Sequence, residues 1–530
     1  MPKSSRIFPT ESAPMSDNLY HILASCASAD PDAVFLDLAD APPVRYGDID
    51  HRAARLARVL TECGAVPDDR IVVQVEKSPD AVMLYLACLR GGFVFVPLNT
   101  SYTAAERRFF LEDAKPSVFV CDPAHAETGV VTAENTGVRA VMTLDAAGRG
   151  TLTAAAALAS SEAPPVVRHK VDLAAILYTS GTTGLPKGAM LTHENLASNA
   201  LMLARYWGFT SDDVLLHALP IFHVHGLFVA LHCAMCSGAR IIFQKDFKVP
   251  AVISRLLDAT VMMGVPTFYT RLLGSPALTA GSAQNIRLFI SGSAPLLEDT
   301  FRDFEARTGQ RILERYGMTE VGMACSNPLD GERVAGTVGF AMPGVLVRSV
   351  DKTGREVPRG EVGVLEISGP NVFSGYWKLP EKTAEEFRPD GYFISGDMAR
   401  IDEEGRVSIV GRAKDLIISG GFNVYPREVE LCLDDVIGVK ESAVIGVPHP
   451  DFGEGVTGIV VPDGTMKLDP NHVLAAVGDK LARFKQPKKI FIVNELPRNA
   501  MGKVQKKALR NRYANIYEEV ADSALTRNSR

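Results

Sequence analysis

At 530 residues, 46% hydrophobic and 22% charged, the chain is long enough for more than one domain and has the balance of a globular protein. A net charge of −6 leaves no global basic field, which argues against nucleic acid as a partner. The eight cysteines, at 26, 63, 88, 121, 233, 236, 325 and 432, lack paired spacing, so a reduced, cytoplasmic setting is expected.

In chain order, the opening "MPKSSRIFPTESAPM" has no apolar core of the kind a secretory signal needs. It reads as a disordered extension over residues 1–20, with Met15 as a second candidate start. Apolar runs recur from 70 onward: "RIVVQV" at 70, "GFVFVPL" at 92, "SVFVCD" at 117, "ARIIFQ" at 239, "VMMGVPT" at 261 and "IRLFISG" at 286. They alternate with helical stretches such as "SPDAVMLYLACLRGG", which predicts βαβ units and mostly parallel sheets. The apolar run "AVMLYLACL" stops at Arg90-Gly91-Gly92, too short to span a bilayer, so no integral membrane association is expected.

The Ala-rich segment 151–163, ending in Pro164-Pro165, reads as a connector. From about 345 the pattern changes to short antiparallel strands, with a hairpin turn at Glu403-Glu404-Gly405. After 415 a shorter segment carries its own strands and helices and closes on a lysine-rich end, the mark of a small C-terminal domain.

The densest chemical signal is "LYTSGTTGLPKGAM" at 177–190. Gly181, Gly184 and Gly188 let a backbone turn its N–H groups onto an anion. Thr179, Ser180, Thr182 and Thr183 add hydroxyls, and Lys187 adds a charge that can follow a phosphate. This is not the P-loop of kinases and GTPases, because Pro186 and Gly188 flank the lysine and keep it off a helix. A plain surface turn is the alternative reading.

Four further stretches stand beside it: "SGSAPL" at 291–296, "ERYGMTE" at 314–320, "GYFISGDMARIDEEGRVSIVGRAKDLIISGGFNVYP" at 391–426 and "PRNAMGKVQKK" at 497–507. In this order and spacing the chain resembles the adenylate-forming superfamily of acyl-CoA synthetases, luciferases and peptide-synthetase adenylation domains. With "FHVHGLFVA" and "GVPTFYTRLL" it is most similar, within that superfamily, to the malonyl-CoA synthetases.

The resemblance implies an α/β fold: a large N-terminal domain of parallel and mixed sheets with flanking helices and a small β-barrel-like subdomain, plus a small, mobile α+β C-terminal domain. It implies an AMP-binding domain over 21–412, a hinge over 413–415 at Lys414, a C-terminal domain over 416–515 and a tail over 516–530. The implied substrates are ATP, CoA and a short acid, with Mg²⁺. The carboxylate would attack the α-phosphate, expel pyrophosphate and pass as an acyl-adenylate to the thiol.

By the same resemblance the 179–187 loop holds the departing phosphates, Glu320 binds Mg²⁺ and Thr319 contacts the α-phosphate. Gly292, Ser293, Ala294, Glu314, Tyr316, Gly317 and Met318 form the adenine site, and Asp397 and Arg412 take the ribose hydroxyls. Lys503 bridges carboxylate and α-phosphate during adenylation, then withdraws as the C-terminal domain turns and Gly420, Gly421 and Phe422 line the thiol tunnel. A lysine that works through its charge is silenced by acetylation, so a lysine acetyltransferase acting on Lys503 is an expected partner.

Malonate would bring a second carboxylate, and burying it unpaired is costly, so the acyl pocket should contain a cation. Arg315 and Arg271 match arginines of malonyl-CoA synthetases, Ser293 borders the pocket and His223 matches a gating position. His223 and His225 form H-x-H, but no Cys/His partners at suitable spacing support zinc. Cys325 has no evident base and is not read as a nucleophile. Val321 and Gly322 replace a threonine and an asparagine of those relatives, a change expected to enlarge the pocket or make it more apolar, which leaves methylmalonate or another substituted malonate open as the acid. The rival readings are a short-chain or aryl monocarboxylate ligase, an adenylation protein loading a carrier arm, and a nucleotide-binding regulator with a degenerate site.

Overall fold

The computed structural model describes residues 17–27, 30–180, 186–420, 422–478, 480–499 and 502–517. Two large sheets and a small one make up the N-terminal part. The first runs Phe340–Ala341, Gly322–Ser326, Ile312–Met318, Leu288–Ser291, Val261–Gly264, Val214–His217, Arg240–Phe243, Val34–Asp37, Val44–Arg45 across its width. Its six inner strands are parallel, and both ends are closed by antiparallel pairs. The second orders Gly375–Tyr376, Pro186–Thr192, Leu173–Ser180, Val94–Pro97, Arg70–Gln74, Val118–Cys121, Ala140–Thr143.

The parallel strands are buried on both faces, which is why they read as continuous apolar runs rather than alternating ones. The helix Pro79–Gly91 between two of them starts on Ser78, whose side chain accepts from Ala81 N, and stops at Gly92 with φ +70°.

A four-stranded antiparallel sheet, Leu346–Val350, Val362–Ser368, Phe393–Ile401, Val407–Arg412, supplies the small subdomain, and its last hairpin turns through Gly405 at φ +88°. The C-terminal part builds a separate five-stranded sheet around the long antiparallel pair Val439–His449 and Gly453–Pro462. Its core, around Val444, Val460 and Leu433, is a cluster of its own.

Two expectations change. The Ala-rich connector contains a helix, Thr151–Leu158, because alanine is the best helix former and Leu152 and Ala156 find a buried face. The N-terminal extension cannot reach residue 20: Asn18 is fully buried, donates to Leu89 O and Val166 O, and caps the helix Leu19–Cys26. Most of the expected extension, and of the tail, lies outside the described residues. Among the described residues no helix is long and apolar enough to cross a membrane.

Candidate active site

The site gathers where parallel strands of the first sheet end. Strand Leu288–Ser291 runs out into Gly292, Ser293 and Ala294, with Ser293 in the left-handed region at φ +74°. Its neighbour Ile312–Met318 carries Glu314, Arg315, Tyr316, Gly317 and Met318, then turns through Thr319 and Glu320. Gly317 permits that turn, since a Cβ there would lie 2.0 Å from Gly322 O.

Across the cleft, the register of the last hairpin sets Asp397 opposite Arg412, and Arg412 Nε lies 2.6 Å from Asp397 Oδ1. Tyr316 donates to Asp397 Oδ2 at 2.5 Å. Tyr316 and Arg412, from different sheets, thus share the Asp397 carboxylate. Glu314 is buried, accepts from Leu296 N at 3.2 Å and leaves Oε2 without a partner. Burial pushes its carboxyl up to about 8, against the pull of Leu296 N–H and Arg427.

On the phosphate side Lys187 is buried and paired with Glu386, Nζ to Oε1 at 2.9 Å, above the Tyr376 ring. Glu320 is buried beside it and accepts from Tyr376 Oη at 3.1 Å and Thr179 Oγ1 at 3.4 Å. Burial raises the Glu320 carboxyl, a site that gains from a cation. Among the described residues no group of three or more His, Cys, Asp or Glu could hold a metal ion, so Mg²⁺ on Glu320 would take its other oxygens from phosphate and water. Gly181, Thr182, Thr183 and Gly184 lie outside the described residues, as does the side chain of Ser180.

A further group of buried polar side chains is built around Arg315. Only 2% exposed, it keeps Nε and Nη2 without a hydrogen-bond partner. Burial pushes its pKa down to about 10, partly offset by Tyr269 and Cys233. His225 meets Ser293 Oγ through Nδ1 at 3.2 Å. Burial holds both histidines neutral, His223 down at about 4, and at His225 the Arg315 charge acts in the same direction. Nε2 of each is buried with no partner. A second wall, with Asn99, Tyr102, Tyr178 and Phe222, joins His223 to Thr319.

Among the described residues Arg271 makes no hydrogen bond or ion pair with this group. On the helix Pro266–Leu273 Tyr269 and Leu272 are buried, while Arg271 is exposed and covers the Phe247 ring at 4.9 Å. Gly322 sits at φ +57°, and a Cβ there would lie 2.7 Å from Asn199 Oδ1, which bonds Met323 N while Asn199 Nδ2 bonds Met323 O. Gly322, Asn199 and Thr319 line a small cavity. Cys325 is buried, and burial pushes its thiol up to about 12, away from nucleophile chemistry.

Lys503 reaches the site from the C-terminal domain. Its loop is tied by Asn499 N to Lys503 O and Lys503 N to Asn499 Oδ1, both 3.0 Å, and Arg498 bonds Gly502 O. Gly502, at φ +74°, lies against the N-terminal domain, where a Cβ on it would stand 3.2 Å from Thr267 Oγ1. Solvent still reaches Lys503, while the surrounding protein and the Arg412 charge lower its pKa. Lys414 lies in a single 3₁₀ turn, Ala413–Asp415, and Arg510 pairs with Asp415. Gly420 has φ +59°, Phe422 is 57% exposed and stacked on Phe484, and Gly421 lies outside the described residues. Lys503 thus stands near Asp397 and Arg412, while Phe422 faces solvent.

Tyr376, Glu386, Thr267 and Asn199 were not singled out by the sequence. No motif spacing marks them; their roles come from contacts with distant segments.

The model of the AMP-binding enzyme family matches residues 23–377, and that of the AMP-binding enzyme C-terminal domain matches 428–503. A malonate–CoA ligase of Arabidopsis thaliana is 33% identical over 97% of this chain and 91% of its own. A feruloyl-CoA synthase of Amycolatopsis is 37% identical over 88% and 94%. The crystal structure of ATP-bound MatB from Rhodopseudomonas palustris superposes with a TM-score of 0.93 at 53% identity, covering 95% of this chain and all of that one. The chain belongs to the AMP-binding enzyme family, as an AMP-forming acid–CoA ligase that uses ATP, Mg²⁺ and CoA.

Proposed function

We propose that the acid this ligase activates is malonate, giving malonyl-CoA, AMP and pyrophosphate. The observation that carries this is Arg315, a guanidinium buried with two nitrogens unpartnered. A buried cation without a counter-ion costs several kcal/mol, and a distal carboxylate would remove that cost in the bound state. A monocarboxylate would leave the cost in place. Neutral His223 and His225 offer polar atoms without adding charge. The similarity to a malonate–CoA ligase supports the same substrate, whereas the feruloyl-CoA synthase relative keeps aryl acids in view.

In the first half-reaction Lys503 would bring the proximal carboxylate and the α-phosphate together, with Thr319 beside the α-phosphate. Asp397 and Arg412 would fix the ribose, Tyr316 and Glu314 the adenine side, and Glu320 the Mg²⁺ that neutralises the leaving pyrophosphate. The P–O bond to pyrophosphate breaks as the acyl–O–P bond forms. In the second, the CoA thiol, having lost its proton, adds to the acyl carbon and AMP leaves. Rotation at Lys414 would withdraw Lys503 and bring Gly420, Gly421 and Phe422 to the cleft.

Eight unpaired cysteines support a reduced, cytoplasmic setting. The solvent access of Lys503 supports a lysine acetyltransferase as its regulator. ATP–pyrophosphate exchange with malonate, methylmalonate, butyrate and ferulate tests the assignment. Malonate should drive the fastest exchange per unit concentration; faster exchange with butyrate or ferulate would contradict it.

A further inference from the structure

Lys187 is the cation of the phosphate-holding segment, yet it is already engaged. Its Nζ sits 2.9 Å from Glu386 Oε1 and 3.8 Å above the Tyr376 ring, and the side chain is only 9% exposed. A lysine held this way cannot also give its full charge to a phosphate. Glu386 has two further partners: Tyr376 Oη donates to its other oxygen, Oε2, at 2.7 Å, and Lys382 Nζ, which also pairs with Glu385 at 2.9 Å, lies 3.3 Å from the same Oε1. Lys382 is one turn back, in the short helix Pro380–Glu385.

We propose that Glu386 is the resting counter-ion of Lys187, which the terminal phosphates of ATP replace, and that Lys382 keeps Glu386 paired once Lys187 has gone. The exchange conserves charge pairing at every stage. In the empty enzyme the buried ammonium is neutralised, so the site does not carry the cost of an orphan cation. When the β- and γ-phosphates arrive they offer more negative charge than one carboxylate, and Lys187 turns to them. Glu386 is then left with Tyr376 and Lys382, and being 20% exposed at its side chain it is also hydrated. When pyrophosphate leaves, Glu386 recaptures Lys187 and so favours product release over retention.

Tyr376 couples this exchange to the metal residue. Its single hydroxyl proton lies between Glu386 Oε2 at 2.7 Å and Glu320 Oε1 at 3.1 Å, and it can be given to only one of them. The other carboxylate needs a proton or a cation. The shorter bond goes to Glu386, which also faces the ammonium groups of Lys187 and Lys382, so Glu386 is the ionised partner. Glu386 positions Lys187 and does not itself touch the reacting atoms.

The test is calorimetric binding of Mg·ATP to the full-length enzyme without acid or CoA, so that nothing turns over, with AMP as a control lacking the β- and γ-phosphates. Glu386→Gln should bind Mg·ATP more tightly, by roughly tenfold for the loss of one half-buried ion pair, and AMP as the wild type does. Lys382→Met, which leaves Glu386 dependent on Lys187, should bind Mg·ATP more weakly, again with AMP unchanged. The double variant should resemble Glu386→Gln. Unchanged or weaker Mg·ATP binding by Glu386→Gln, or an equal change for AMP, overturns the counter-ion role. Unchanged Mg·ATP binding by Lys382→Met overturns the hand-over.

Discussion

Gly292 and Arg315 share one volume: a Cβ on Gly292 would fall 2.4 Å from the guanidinium carbon of Arg315 on the neighbouring strand. The absent side chain at 292 is what lets the buried arginine lie along the end of the parallel sheet. Gly292→Ala should therefore displace Arg315 without a backbone penalty, since Gly292 is not among the positive-φ glycines. Its KM for malonate should rise on the order of tenfold, with a smaller rise for butyrate, because the alanine disturbs the partner of the distal carboxylate. Steady-state kinetics with the two acids check this.

Lys503→Ala should nearly abolish pyrophosphate formation, a loss on the order of 10²–10³ in rate, while thioester formation from supplied acyl-adenylate stays largely intact. The reason is its place: the lysine stands beside Asp397 and Arg412 in this domain arrangement, and Phe422 of the opposite face stands in solvent. Separate assays of the two half-reactions distinguish this from general damage.

Arg271→Met should change the malonate KM by less than about threefold, the scale of an exposed cation–π contact. The exposed arginine lies over the Phe247 ring. A large, malonate-selective effect would mean that the helix Pro266–Leu273 turns on substrate binding.

The Glu314 carboxyl titrates at 4.5 in the unfolded chain and is pushed up to about 8 when folded. Between those values the folded state keeps a proton that the unfolded state has released, so this group's contribution to stability falls as pH rises across that window. Glu314→Gln removes the titration. Its melting temperature should decline less than that of the wild type between pH about 4.5 and about 8.

The meeting of Tyr316, Asp397 and Arg412 was legible in the sequence because they lie on strand ends and hairpins whose motifs are contiguous. Arg315 and Tyr316 follow one another on a strand, and alternation alone sends one toward the acyl end and the other toward Asp397. Asp397 and Arg412 are opposite each other by hairpin register. At Arg271 resemblance and periodicity point differently: Tyr269 and Leu272 mark the buried stripe of their helix, and Arg271 falls off it. Asn199, which faces Gly322, comes from the helix His193–Tyr206, far back in the chain, so no motif announces it. Glu386 and Tyr376 were invisible for the same reason: only the fold brings them to Lys187 and Glu320.

The most direct test of the malonate assignment is the ratio of kcat/KM for malonate to kcat/KM for butyrate in the wild type and in Arg315→Met. Methionine fills much of the same buried space but pairs with no carboxylate, so malonate would bury a charge without a partner while butyrate would not. If Arg315 holds the distal carboxylate, the ratio falls on the order of 10²-fold, through a higher KM for malonate. Equal loss with both acids would contradict the assignment, because Arg315 would then be serving the nucleotide site or the fold rather than a second carboxylate.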